Sequence, residues 1–130
     1  MSEYDERMKR GFDVLEKLGR GGRMLFQKEL YPDYYDLSVG HLFGDIWTRP
    51  HLDLRERELI TLAANIALNR PFGTRSHYRS AQHVGITKEE IMELIIRVGL
   101  HAGWETMLIA ASEFSQVLKE DAERANRPNQ

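Results

Sequence analysis

The chain has 130 residues, a formal net charge of -2 and no cysteine. That length builds a single core. Interleaved acidic and basic residues leave no electrostatic case for nucleic acid, and the missing thiols remove disulfides, thiolate nucleophiles and cysteine metal ligands. No apolar run approaches the ~20 residues that cross a bilayer, and the opening MSEYDERMKR is charged where an export signal is apolar, so the expectation is a cytoplasmic protein without a membrane partner.

In chain order, Ser2 can cap a helix in which Met8, Phe12, Leu15 and Leu18 recur at steps of four and three, ending at Gly19, Gly21 and Gly22. A connector runs to Tyr31. Pro32 suits the first turn of a helix reaching Trp47 through Tyr35, Leu37, Leu42, Phe43 and Ile46, with Gly40 and Gly44 weakening its continuity. Thr48-Arg49-Pro50 breaks it.

Asp53, with Glu56 three residues on, has capping-box spacing and opens a central helix. From Leu59 to Leu68 only Thr61 and Asn65 interrupt its apolar run, which predicts burial around most of its girth. Pro71 and Gly73 then break the chain, and Thr74 is expected to cap a second central helix that closes at Gly85. Thr87 and Glu90 form another capping box ahead of the stripe Ile91, Leu94, Ile95 and Val98. Gly99 and Gly103 bracket His101 at an expected kink or corner.

From Trp104 the last helix carries Met107, Ala110, Phe114 and Val117, widened by Leu108, Ala111 and Leu118, before a polar tail from Lys119 that is expected to fray. No stretch alternates with period two between turn residues, so the fold class is all-α. The expected architecture is a single-domain bundle of about six helices: an N-terminal helix and connector over 1–30, the main domain over 31–118, and the tail over 119–130. So wide an apolar surface predicts a homo-oligomer.

Chemistry concentrates at the corner between the two central helices. With Thr74 as cap, His77 occupies the third helical position, where the helix dipole disfavours imidazolium and leaves a neutral ring able to act as a base. Glu58 lies 19 residues earlier across one turn and can orient that ring or pass it a proton. The plainer alternative is a Glu and a His that merely satisfy each other. His101 is a second candidate, with a structural role as its alternative. Arg49, Arg57 and Arg75 can each hold a carboxylate through the guanidinium fork, or simply lie on a solvated surface. Trp47 is core or pocket wall. The histidines show no metal-ligand spacing, so no metal is expected.

The runs GDIWTRPHLDLRERELITLAANIAL and RSHYRSAQHVGITKEEIMELIIRVGLHAG resemble the carboxymuconolactone decarboxylase family, cysteine-free relatives of the alkyl-hydroperoxidase D-like superfamily. The register covers about Leu37 to Val117 and rests on Trp47-Thr48-Arg49-Pro50, Arg57, His77, Gly85-Ile86-Thr87 and Ala102-Gly103. The resemblance implies a compact all-α, alkyl-hydroperoxidase D-like fold, a homo-oligomer that is commonly a hexamer built from dimers, and a pocket near the central corner. Glu58 and His77 match the Glu and His of the redox branch, but Arg70 and Gly73 hold its two cysteine positions, so thiol peroxidase activity is not expected.

The decarboxylase branch implies chemistry without a cofactor. A lactone carbonyl accepts the electron pair as CO2 leaves, and a positioned acid protonates the dienolate. Arg49, Arg57 or Arg75 would clamp the carboxylate beside Trp47, while His77 and Glu58 move the proton. Val84 stands where the decarboxylases commonly have Asn, His101 where they have Tyr, and Trp104-Glu105 where a proline often follows, so the pocket wall is altered. The implied function is a lyase acting on 4-carboxymuconolactone or a close variant. An isomerase or hydratase on the same scaffold, and a non-catalytic oligomeric protein that binds a small carboxylate or lactone, are the alternatives.

Overall fold

A computed structural model of the chain describes residues 1–127. Its elements are α1 (Glu3–Lys17), α2 (Leu25–Leu30), α3 (Pro32–Tyr35) running unbroken into a π-helical segment (Asp36–Ile46), α4 (Leu54–Ala67), α5 (Pro71–His83), α6 (Lys88–Ala102) and α7 (Trp104–Ala125). Among the described residues there is no strand, and the all-α expectation holds. The chain forms two compact units, Met1–Arg57 and Glu58 onward, with the boundary inside α4.

Three helix starts follow their capping signals. Ser2 Oγ accepts from the Asp5 N–H at 3.1 Å, Asp53 from the Glu56 N–H at 2.7 Å, and Thr87 from the Glu90 N–H at 3.1 Å. The acidic side chain three residues on accepts in return from the Asp53 and Thr87 N–H groups, at 2.9 and 3.0 Å. Two orphan donors are satisfied at each start.

In the first unit α1 lies against the π-helical segment at backbone distance. A Cβ on Gly11 would collide with the Val39 carbonyl, and one on Gly44 with the Arg7 carbonyl. The i→i+5 winding, seen where the Trp47 N–H reaches the Leu42 carbonyl at 2.9 Å, keeps the helix continuous through both glycines that argued against it. Val14, Leu15, Leu18, Val39 and Phe43 are buried in this unit. Phe12, expected on the buried stripe, is exposed. Residues 25–30, read as connector, form α2, a helix that no side chain caps and that buries only Gln27.

In the second unit α5, α6 and α7 pack with Leu62 and Ile66 of α4 around Tyr78, Ile91, Ile95, Phe114 and Val117. The Tyr78 and Phe114 rings lie 4.9 Å apart. Gly99 does not kink α6; it admits Met107 of α7 against the α6 backbone. The corner comes at Gly103, whose φ of 122° only glycine adopts without strain.

Two further expectations are corrected. α4 is not buried around its girth within the chain: Ile60, Ala64 and Leu68, one helical turn apart, form an exposed stripe. α7 runs on to Ala125, with Glu120 and Asp121 paired to Arg75 and Arg79 of α5, and the end of the expected fraying tail, 128–130, lies outside the described residues.

Candidate active site

α5 begins a turn earlier than its threonine suggests. Pro71 takes the first helical position, where its fixed φ is favourable and its missing N–H costs nothing. Thr74 therefore caps nothing; its hydroxyl donates to the Arg70 carbonyl at 2.7 Å. Asn69, at φ 55°, makes the left-handed turn out of α4. His77 becomes the seventh residue of α5 rather than the third. Dipole effects fade within the first turn, so the expected influence of the helix dipole on His77 loses its basis.

A buried carboxylate faces the His77 ring. Glu58 is 0% exposed, and its two oxygens lie 3.1 and 3.0 Å from His77 Nδ1. The His77 side chain is 14% exposed. A carboxylate oxygen accepts, so the arrangement suits donation of an Nδ1–H to Glu58. Of the expected site residues in the second unit, Glu58 and His77 are the two brought together.

His101 is exposed in the last turn of α6. With Arg97, one turn earlier, it lines an open groove of about 470 Å³ floored by Ala63, Ala67, Val98 and Ala102, and neither Glu58 nor His77 takes part. Nearer the α4–α5 corner, Asn65, Arg70, Thr74, Tyr78 and Glu113 line a crevice of about 10 Å³, room for one water. Tyr78 donates to the Ala110 carbonyl at 3.2 Å, and burial, with Glu113 beside it, pushes its phenol well above the usual range.

Arg75 points to α7, where its guanidinium meets Glu113 at 3.4 Å and Glu120 at 2.5 Å. Arg79, which the sequence reading missed, donates to Asp121 and Glu120, each at 2.8 Å. The bond from Arg79, chiefly, holds the Glu120 carboxyl below its usual range, with Arg75 adding to it against partial desolvation. The bond to Asp121 leads in raising Arg79. The one available sequence signal was the one-turn spacing of Arg75 and Arg79, on the face of α5 away from His77.

In the first unit the Arg57 guanidinium donates to the Leu52 carbonyl at 3.1 Å and the Arg49 carbonyl at 2.7 Å, tying the turn together. The Trp47 ring is half-buried, 5.5 Å from that of Phe43. Among the described residues no three His, Asp or Glu side chains gather as a metal site would require, and no helix is long and apolar enough to cross a membrane.

A sequence model of the carboxymuconolactone decarboxylase family matches residues 32–116. The chain belongs to the carboxymuconolactone decarboxylase family. It is 32% identical over 120 residues to a 4-carboxymuconolactone decarboxylase of Acinetobacter baylyi, an alignment covering 89% of this chain and 90% of that protein. It is also 33% identical over 68 residues to the nitrosuccinic acid decarboxylase of Metarhizium robertsii, covering 52% of this chain and 48% of that one, so it spans about half the length of that relative. The span matched to the family contains α5, the paired Glu58 and His77, and Arg49 and Arg57.

Proposed function

We propose that this family member is a cofactor-independent carboxy-lyase, a cytoplasmic enzyme acting on a carboxylated lactone of the 4-carboxymuconolactone type. The observation that carries the reading is the His77 ring held 3.0 Å from a fully buried Glu58, in a chain 32% identical to a 4-carboxymuconolactone decarboxylase along most of its length. In the proposed reaction the bond to the carboxylate carbon breaks, CO2 leaves, and the electron pair moves into the conjugated lactone carbonyl as a dienolate. His77 Nε2–H protonates that dienolate, Glu58 stabilises the ring through Nδ1–H, and a proton from solvent restores the acid, so one proton is consumed per CO2.

Both relatives are named as decarboxylases but of different acids, which supports loss of CO2 more strongly than any one substrate. Arg49, Arg57 and Trp47 remain proposed carboxylate-binding residues, with Arg57 already held by the Leu52 and Arg49 carbonyls, and His101 an accessory group. Arg75, already occupied by Glu113 and Glu120, is proposed to hold the scaffold. The test is turnover of 4-carboxymuconolactone followed by ultraviolet absorbance. Saturable loss of substrate with release of CO2 is expected; binding without turnover would favour a non-catalytic relative.

Assembly is part of the proposal. Ile60 on α4, Leu68 just past its end, Phe72 at 94% exposure, and Leu100, Trp104 and Leu108 leave more apolar surface uncovered than one chain ordinarily keeps. This supports a homo-oligomer, with a hexamer as the proposed state. Light scattering should give several times 15.1 kDa, and a clean monomer at micromolar concentration would overturn it.

A further inference from the structure

α5 carries His77 and its ion pairs on opposite sides. At 3.6 residues per turn, His77 projects about 160° away from both Arg75 and Arg79. Arg79 divides its fork, with Nε donating to Asp121 Oδ1 and a terminal nitrogen to Glu120 Oε2, each at 2.8 Å. The other Glu120 oxygen accepts from Arg75 at 2.5 Å. We propose that Arg79, held by Glu120 and Asp121, is a positioning residue that sets the rotation of α5 and with it the aim of the His77 ring at Glu58. This rests on the proton-transfer reading of His77.

The sensitivity is geometric. A ring about 6 Å from the helix axis moves about 1 Å when the helix turns by about 10°. Starting from contacts of 3.0 and 3.1 Å, such a shift directed away from Glu58 takes Nδ1 out of hydrogen-bond range, and one directed sideways misaligns the bond. Misplacement on that scale costs on the order of 10²-fold in rate. The apolar contacts of Tyr78 and Ala81 hold α5 against the core without fixing a direction, and the Tyr78 hydroxyl adds one directed bond there, to the Ala110 carbonyl. A guanidinium split between two carboxylates has a defined angle. The side chains of Arg79, Glu120 and Asp121 are only 20%, 35% and 34% exposed, so water screens them less than an ordinary surface pair.

The test reads the ring directly. 15N NMR of the histidine-labelled protein reports the tautomer and hydrogen bonding of each of its five histidines, with His77 assigned by its loss in His77→Gln. In Arg79→Met the His77 signals should move from a carboxylate-bonded Nδ1–H toward a tautomer-averaged ring. Turnover should fall roughly tenfold or more with KM little changed, and Arg79→Lys should recover part of both. An unchanged His77 signature in folded Arg79→Met would show that the core alone sets the angle and would overturn the proposal. Should Arg79→Met fail to fold, the milder double variant Glu120→Gln/Asp121→Asn is read in the same way, with the same two outcomes. The NMR readout needs no substrate. A protein inactive on the lactone therefore sinks the decarboxylase reading alone, and an unmoved ring sinks the positioning role alone.

Discussion

On one side of α5, His77 meets the carboxylate of Glu58, which is 0% exposed. On the other, Arg75 and Arg79 meet three partly exposed ones, Glu113, Glu120 and Asp121. The first contact buries a titratable pair at the cost of desolvation and adds little to stability for that cost. The second shares opposite charges at the edge of α7, where desolvation is smaller and direction is gained. Chemistry and anchorage are thus separated by half a helical turn, and a substitution on the anchoring face reaches His77 only through the setting of α5.

Removing the ring is the sharpest break. His77→Ala should lose roughly 10²-fold to 10⁴-fold in kcat while remaining native by circular dichroism, whereas His101→Ala should keep most of its activity. Near-normal kcat in His77→Ala would remove the pair from the reaction and move attention to the Arg97–His101 groove.

Glu58→Gln keeps an acceptor of the same shape but removes its charge. Loss of a charge-assisted bond should cost roughly tenfold or more in kcat. An unaltered rate would mean that the carboxylate only fills its site.

On the anchoring face the effect should be on stability. Arg75→Met should cost about 1 kcal/mol, a fall of about 4 °C in Tm, with KM unchanged. A large rise in KM at constant Tm would instead return Arg75 to the carboxylate clamp.

The smallest expected effect is on pH dependence. Glu120 has its folded-state pKa lowered, chiefly by Arg79. Its contribution to stability is therefore fully present above the unfolded carboxylate value and is lost as pH falls through the folded one. Denaturation midpoints should decline below about pH 4, and less steeply in Glu120→Gln. An identical decline in the variant would show that other carboxylates carry it.

The local part of this structure was legible in the sequence. The cap Ser2 and the pairs Asp53–Glu56 and Thr87–Glu90 are short-range signals and start helices where they stand. Thr74 misled because threonine is a favoured cap, yet Pro71 three residues earlier offered a better first turn. α2 has no capping side chain and buries one residue, so no periodicity announces it. The π-helical winding answers to the close approach of α1 at Gly11 and Gly44, a tertiary demand that period reading does not contain. At the site, the 19-residue spacing of Glu58 and His77 allowed a contact without requiring one. The partners of Arg75 and Arg79 lie more than 35 residues away along the chain, beyond any local pattern.

The central claim is that His77, oriented by Glu58, delivers the proton. Turnover of 4-carboxymuconolactone in D2O tests it most directly, with NMR reading the configuration of the newly protonated carbon. Delivery from a fixed ring predicts deuterium on one face in the wild type and scrambling between both faces in any residual turnover by His77→Gln. Equal labelling of both faces by the wild type, or undiminished selectivity in His77→Gln, would contradict it.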